Sequence, residues 1–136
     1  MIRVYFASKL EEASLWRAVC RGNSHLQAHA RWLKHTVIGT PDSPENAADF
    51  WLEDEQDVRD ADACVVYGHG EQKLRGALVE AGIAIACGVP VIVIGDHPDY
   101  STWQFHPLVT RVPTINAAVE HLRLIEPRYR RLRRSP

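Results

Sequence analysis

Short apolar runs alternate with amphipathic stretches along the chain, and this alternation predicts strands separated by helices. The strand-like runs are IRVYFAS at residues 2–8, HTVIGT at 35–40, ADACVVYG at 61–68, VPVIVIG at 89–95 and LVTRVP at 108–113. Because VPVIVIG is apolar throughout, it is typical of a strand that helices cover on both faces.

Helical spacing of apolar residues fills the intervals between these runs. From Lys9 to about Leu33 it predicts two helical pieces, with a break near residues 21–24 and Ser24 as a possible N-cap. Three more helices are predicted at 46–60, 76–87 and 114–124. The inward side of the helix at 46–60 is predicted to carry Ala47, Phe50, Trp51 and Val58. The helix at 76–87 is predicted to end at Gly88, and the helix at 114–124 to be capped by Thr114 or Asn116.

Strands that alternate with helices imply right-handed crossovers and a parallel sheet. The predicted fold class is therefore α/β: a three-layer, flavodoxin-like or Rossmann-like sandwich of about five parallel strands with helices on both faces. Residues 1–127 are predicted to form a single domain, followed by a basic C-terminal tail at 128–136.

The composition narrows the class of protein. The chain has 136 residues, which fits one domain. Its longest apolar run, 76–95, is interrupted by Glu80 and by Gly88-Val89-Pro90, so no uninterrupted apolar stretch is long enough to predict a membrane span. The first residues follow a strand pattern and resemble no signal peptide. Three cysteines without metal or redox spacing predict reduced, buried thiols in a cytoplasmic protein.

Positive charge is concentrated in the tail. The run RYRRLRR contains five arginines and no acid, and without them the chain has 11 basic and 17 acidic residues. Such a run is typical of a solvated, partly disordered end. A contact with a neighbouring subunit or with nucleic acid is the alternative, and a nucleic-acid partner is the least favoured interpretation.

The fold predicts where a ligand would bind. Open α/β sheets bind ligands at the carboxyl ends of their strands, where the strand order reverses. Tyr5, Ser8, the glycine-rich stretch 68–70 and the first turns of the following helix are expected to converge there. The free N–H groups of the loop 68–76 could bind a phosphate or hydroxyl groups, although an ordinary flexible turn explains the loop equally well, since it matches neither a Walker A nor a GxGxxG loop.

Glu80 is the one carboxylate in an otherwise apolar helix, GALVEAGIAIAC at 76–87. It either faces solvent near the start of the helix or lies in a pocket. A helix that is apolar on nearly all sides favours burial, and a buried carboxylate needs polar partners or a cavity.

Three stretches resemble the nucleoside 2-deoxyribosyltransferase family, whose relatives include the deoxynucleoside 5′-monophosphate N-glycosidases. They are VYFAS, DEQDVRDADACVVY and GALVEAGIAIACGVPVIVIG, which together extend over roughly residues 2–95. The resemblance implies that Glu80 is a nucleophile that forms a glycosyl–enzyme, that Tyr5 hydrogen-bonds it, and that Asp54 protonates the leaving base and later activates the acceptor.

At one position the chain departs from this pattern. Six residues before the nucleophile, the transferases have an aspartate and the monophosphate glycosidases a serine, both at the sugar end, whereas this chain has Leu74. The sugar end is then expected to be bound by other residues, with Arg75, Lys73 and His69 as candidates, and a basic pair would suit a phosphate. Trp51, Tyr100 or Trp103 could stack on a base, or could simply be packing residues.

These observations predict a catalytic set of Glu80, Asp54 and Tyr5, and a substrate-binding set of Ser8, Gly68, His69, Arg75, Gly76 and Trp51. The expected partner is a small-molecule nucleoside or nucleotide, with no cofactor and no membrane contact. No metal is expected, since His25 and His29 lack a third ligand. The resemblance implies a homo-oligomer, dimeric or larger. A non-catalytic module that binds nucleosides or nucleotides is the alternative function.

Overall fold

A computed structural model describes residues 1–34 and 43–134 of the chain. Within these residues, five parallel strands form one sheet in the order β2-β1-β3-β4-β5. The strands are β1 (Ile2–Ala7), β2 (Leu26–Ala28), β3 (Ala63–Tyr67), β4 (Val91–Ile94) and β5 (Val109–Val112). Helices lie on both faces, so the predicted α/β sandwich is confirmed, and the strand order reverses between β1 and β3.

The helices are α1 (Ala13–Gly22), α2 (Pro44–Asp60), α3 (Gly76–Ala86), α4 (Ile115–Leu122) and α5 (Arg128–Arg134), with short 3-10 turns at Leu10–Glu12, Arg31–Lys34 and Thr102–Phe105. Ser43 and Thr114 cap α2 and α4 by accepting a main-chain N–H three residues on. Gly88, predicted to end α3, follows it with a left-handed φ of 73°.

The second helical piece predicted near residues 24–33 is wrong. Leu26–Ala28 pairs with β1 as an edge strand, held by hydrogen bonds from the Ile2 N–H to the His25 carbonyl and from the His29 N–H to the Val4 carbonyl. Ser24 therefore caps no helix, and His25 and His29 flank a strand instead of sharing a helical face. The predicted strand at 35–40 lies outside the described residues.

The inward side predicted for α2 is partly wrong. Val58 is fully buried as expected, but Phe50 and Trp51 are each 40% exposed. The buried residues of this helix, Asp57 and Val58, lie in its last turns. The middle of α2 instead packs beside α3, where the Trp51 ring lies about 3.5 Å from the position a Cβ would occupy on Gly76.

The arginine-rich tail is helical at residues 128–134 and contacts the domain, contrary to the expected disordered end. Its anchor is Asp62, which is only 2% exposed. The Asp62 carboxylate accepts the main-chain N–H groups of Arg128 at 2.6 Å and of Arg3 at 2.8 Å. The Arg131 guanidinium also donates to the Asp62 carbonyl at 3.1 Å.

The two faces of the sheet carry different side chains of β1. Phe6 points to α1, where its ring stacks on Trp16 with centroids 4.6 Å apart. Tyr5 points to the opposite face, beneath α3.

The three cysteines are free, but only Cys64 is buried as predicted, since Cys20 is half-buried and Cys87 is exposed. Among the described residues no helix is long and apolar enough to cross a membrane.

Candidate active site

Glu80 lies in the second turn of α3 and is only 6% exposed. Its helical neighbours Ala77, Ala81 and Ala84 are buried against the sheet, and their small side chains let the helix lie close to the strands. The solvent-facing alternative for Glu80 is therefore wrong. The carboxylate lies against β1, one of the two strands between which the strand order reverses.

Tyr5 supplies the direct partner of this carboxylate. Its hydroxyl group donates a hydrogen bond to Glu80 Oε2, and both side chains are buried. Tyr5 is paired in register with Cys64 on β3, so the tyrosine and the thiol lie side by side on the face that α3 covers. The bond fixes the direction of the Glu80 carboxylate, since Tyr5 itself has an exposed fraction of zero.

The electrostatics of the pair are dominated by burial. The pKa of Glu80 is raised to about 8, mainly by burial; the hydrogen bond from Tyr5 acts in the opposite direction, and the charge of Asp54 contributes to the rise. Burial also raises the pKa of Tyr5 far above its ordinary value, and the charges of Glu80 and Asp54 add to this effect. Tyr5 is therefore a permanent hydrogen-bond donor, whereas Glu80 changes its charge near neutral pH.

Asp54 lies on α2 and is half-buried. Its charge acts on both Tyr5 and Glu80, which places the predicted third catalytic side chain in the same electrostatic environment. Trp51 lies one turn before it, at the side of Gly76, where α3 begins. The structure thus joins Tyr5 of β1 to Glu80 of α3 by a hydrogen bond, and Asp54 of α2 is close enough for its charge to act on both.

The segment after β3, residues 68–75, is called the 68–75 loop below. Its N–H groups were predicted to be available to a phosphate, but three of them already donate to side chains. The N–H of Gly68 donates to the Tyr100 hydroxyl at 3.2 Å, that of His69 to Gln72 Oε1 at 3.0 Å, and that of Leu74 to Asp99 Oδ2 at 2.8 Å. These three N–H groups are therefore already engaged by side chains of the same chain, and the loop is not the flexible turn that the sequence offered as the alternative.

Other predicted binding residues have structural partners. Ser8 accepts a hydrogen bond from the Trp16 indole at 2.7 Å, on the α1 face of the sheet. His69 Nε2 lies 2.9 Å from Glu12 Oε1. Gly68 and His69 also line a cleft of about 490 Å³, formed with residues 94–96 and 113–116, and none of the three predicted catalytic residues lines it.

At position 74, where the chain differs from the family it resembles, the leucine side chain is buried. Leu74 is 2% exposed, and its side chain fills the space beside Gly68, where an added Cβ would lie 2.6 Å from Leu74 Cδ1. Lys73 and Arg75 on either side of it are exposed. Arg75 precedes the first turn of α3, whose N-terminus has no side-chain cap.

Sequence reasoning missed Asp99 as a partner of the 68–75 loop and named Tyr100 only as a residue that could stack on a base. No periodicity identifies such residues, because both lie in the irregular loop after β4. The chemistry available here is that of a buried, oriented carboxylate with a second carboxylate nearby. In the described part of the chain, no group of three or more histidine, cysteine, aspartate or glutamate residues could hold a metal ion.

No protein-family model matches the sequence, and no curated protein matches it. Solved structures do show the same fold. A conserved protein from Enterococcus faecalis V583 is similar over 91% of this chain and 98% of its own, with a TM-score of 0.65 and 16% identity. The CMP N-glycosidase BcmB of Clostridium botulinum is similar over 90% and 98%, with a TM-score of 0.56 and 16% identity. Because the identity is 16% in both cases, these similarities show a shared fold.

Proposed function

We propose that the protein cleaves the N-glycosidic bond of a nucleoside or nucleotide, with Glu80 as nucleophile. The observation that carries this proposal is the buried hydrogen bond from Tyr5 to Glu80 at the switch point of the sheet, with Asp54 acting electrostatically on both. A buried carboxylate held in one orientation is suited to attack an anomeric carbon. The fold shared with a CMP N-glycosidase supports the same reaction class.

The proposed reaction has two steps. A Glu80 carboxylate oxygen forms a bond to C1′ of the sugar as the C1′–N bond breaks; the electron pair of that bond stays on the base nitrogen, and the Asp54 carboxyl group supplies a proton to the base. In the second step the oxygen of a water molecule attacks C1′, Asp54 takes a proton from this water, and Glu80 leaves as a carboxylate. If a second base replaces water, the outcome is transfer instead of hydrolysis.

The first step requires a change of charge on the two carboxylates, because the raised pKa of Glu80 leaves this group largely protonated near neutral pH. The first step needs Glu80 ionised and Asp54 protonated. Because the charge of Asp54 raises the pKa of Glu80, protonation of Asp54 removes that repulsion and favours ionised Glu80. The Tyr5 hydroxyl group stabilises the ionised state in both steps, since its hydrogen bond lowers the pKa of Glu80.

The proposed substrate class is a nucleoside 5′-monophosphate. Leu74 offers no polar group at the sugar end, whereas Lys73 and Arg75 are exposed on either side of it, at the uncapped start of α3. Two cations at a helix N-terminus suit a phosphate. The named substrate of one structural neighbour, CMP, belongs to this class.

The test is base release from a panel of nucleosides and their 5′-monophosphates, with and without an acceptor base, followed by chromatography. We expect the wild-type protein to release base from at least one monophosphate. Glu80→Gln should abolish release, while Glu120→Gln, an exposed glutamate on α4, should leave it unchanged. Tyr5→Phe should slow release by about tenfold to hundredfold, the value of a hydrogen bond to a charged group.

The covalent step has its own measurement. Mass spectrometry of acid-quenched protein should show an adduct with the mass of the substrate's sugar portion on the peptide that contains Glu80. Arg75→Ala should weaken use of monophosphates more than use of nucleosides, whereas Arg123→Ala on α4 should affect neither. Base release that persists in Glu80→Gln would contradict the proposed nucleophile.

A second candidate function is a non-catalytic nucleotide-binding module. It is favoured by one observation, the burial of Leu74 at the position where the resembled enzymes have a polar sugar contact. Calorimetric binding of a panel member, without base release from any of them, would select this alternative.

Several wider expectations belong to the same proposal. The resemblance implies a homo-oligomer, and the composition and cysteine pattern predict a cytoplasmic protein. The chain is proposed to form one domain over residues 1–127 with α5 as an addition to it. Sedimentation analysis and deletion of residues 128–136 test the subunit number and the domain division.

A further inference from the structure

The 68–75 loop is the element that connects β3 to α3, and it ends one residue before the helix that carries Glu80. Its conformation therefore decides where α3 begins and where the exposed cations Lys73 and Arg75 lie. Of the side chains in this loop, only that of Leu74 is buried. The conformation of the loop therefore depends on the neighbouring segments that bond to it.

On one side the loop is held by the segment after β4. Asp99 Oδ2 accepts the Leu74 N–H at 2.8 Å, and the Tyr100 hydroxyl group accepts the Gly68 N–H at 3.2 Å. Tyr100 also donates to the Ile94 carbonyl at 2.9 Å, so its buried hydroxyl joins the end of β4 to the end of β3. The Asp99 N–H in turn donates to His97 Nδ1 at 3.0 Å.

On the other side the loop is held by the turn before α1. Gln72 Nε2 donates to Glu11 Oε1 at 2.8 Å and to Glu12 Oε1 at 3.0 Å. The Gln72–Glu12 and Leu74–Asp99 bonds are both partly buried, whereas the Gly68–Tyr100 bond is buried. Hydrogen bonds are worth more where water cannot replace them, so the Tyr100 bond is the best protected of these attachments, and Asp99 adds a charged acceptor on the same side.

We propose that Asp99 and Tyr100 are positioning residues of the candidate active site, which hold the 68–75 loop so that Arg75 and the start of α3 face the substrate. This inference rests on the proposed function. Neither side chain is proposed to touch the reacting atoms. Each acts through a main-chain N–H of the loop, Asp99 through Leu74 and Tyr100 through Gly68.

The test combines amide hydrogen exchange with kinetics. In Asp99→Ala, exchange of the Leu74 amide should become about tenfold to hundredfold faster, as expected for the loss of a bond to a charged acceptor. The KM for the best monophosphate of the panel should rise by about tenfold, with a smaller change in kcat, because Glu80 keeps its bond to Tyr5. Asp99→Asn keeps an acceptor oxygen and should restore most of both values.

Two further variants make the result specific. Tyr100→Phe removes the bridging hydroxyl group and should speed exchange at Gly68 while the amides of β4 remain protected. Ser101→Ala, an exposed residue of the same segment, is the matched control and should change neither exchange nor KM.

The outcomes separate this inference from the proposed function. Unchanged exchange at Leu74 in Asp99→Ala, or faster exchange with an unchanged KM, would overturn the positioning role. Absence of Glu80-dependent base release from the wild-type protein would instead defeat the proposed function, and the exchange result would still decide whether Asp99 holds the loop.

Discussion

Replacing Glu80 with glutamine should make the protein more stable at alkaline pH, although it removes the proposed nucleophile. Burial raises the pKa of Glu80 from its ordinary value of 4.5 to about 8. The folded protein therefore holds a proton that the unfolded chain releases between these two pH values. The contribution of protonated Glu80 to the free energy of unfolding is fully present below pH 4.5 and is lost as the pH rises towards 8.

The size of the effect follows from the same two values. Each pH unit between 4.5 and about 8 lowers the free energy of unfolding by about 1.4 kcal/mol. Over the whole interval the loss amounts to about 4–5 kcal/mol, an order-of-magnitude value and a large part of the usual stability of a domain. The Glu80→Gln side chain has nearly the same shape and no charge, so it should not show this loss.

The assay is urea unfolding of the wild-type protein and Glu80→Gln at pH 5, 6, 7 and 8. The difference in the free energy of unfolding should grow in favour of Glu80→Gln as the pH rises, and Glu120→Gln should follow the wild-type curve. A constant difference across this range would refute the argument, since it would mean that the folded protein accommodates the Glu80 charge without cost. No substrate is needed, so the result does not depend on the reaction.

Three further predictions concern neighbouring features. Asp54→Asn should lower the pH at which Glu80 ionises, seen as a shift of the carboxyl band in infrared titration, because the Asp54 charge raises that pKa; an unmoved band would contradict the coupling. Gly68→Ala should lower the free energy of unfolding in urea by about 1–3 kcal/mol, since its methyl group would overlap Leu74. Adding Leu74→Ala should recover part of this loss, and fully additive effects of the two substitutions would refute the contact. Asp62→Ala should release α5, making residues 128–134 sensitive to limited proteolysis; equal resistance would contradict its role as anchor.

The sequence was sufficient to predict strands β1, β3, β4 and β5 but not β2, and the resemblance predicted the hydrogen bond between Tyr5 and Glu80. Strands β3 and β4 are apolar runs, β1 is apolar apart from Arg3, and in a parallel sheet the order of the strands brings the ends of β1 and β3 together. The apolar surroundings of Glu80 in its helix then favoured burial of this carboxylate over exposure, and the structure shows it buried. The bond between Tyr5 and Glu80 joins residues 75 positions apart, and only the combination of fold and family resemblance predicted it.

The errors have physical causes of their own. Leu26, Ala30 and Leu33 have helical spacing and all are buried, but the segment is too short for its period to exclude a strand. Phe50 and Trp51 were assigned to the core of α2 because they are large and apolar, although only the last turns of this helix face the sheet. Asp99 acts on a main-chain N–H in another loop, a contact that no side-chain pattern encodes.

The position of Asp62 has a consequence for the order of folding. Its carboxylate binds main-chain groups from β1 and from α5, which are separated by most of the chain. During synthesis, β1 and β3 can pair well before residue 128 has left the ribosome, so Asp62 must remain partly hydrated until α5 arrives. Docking of this arginine-rich helix is therefore expected to be the last step, and its release the first step of unfolding.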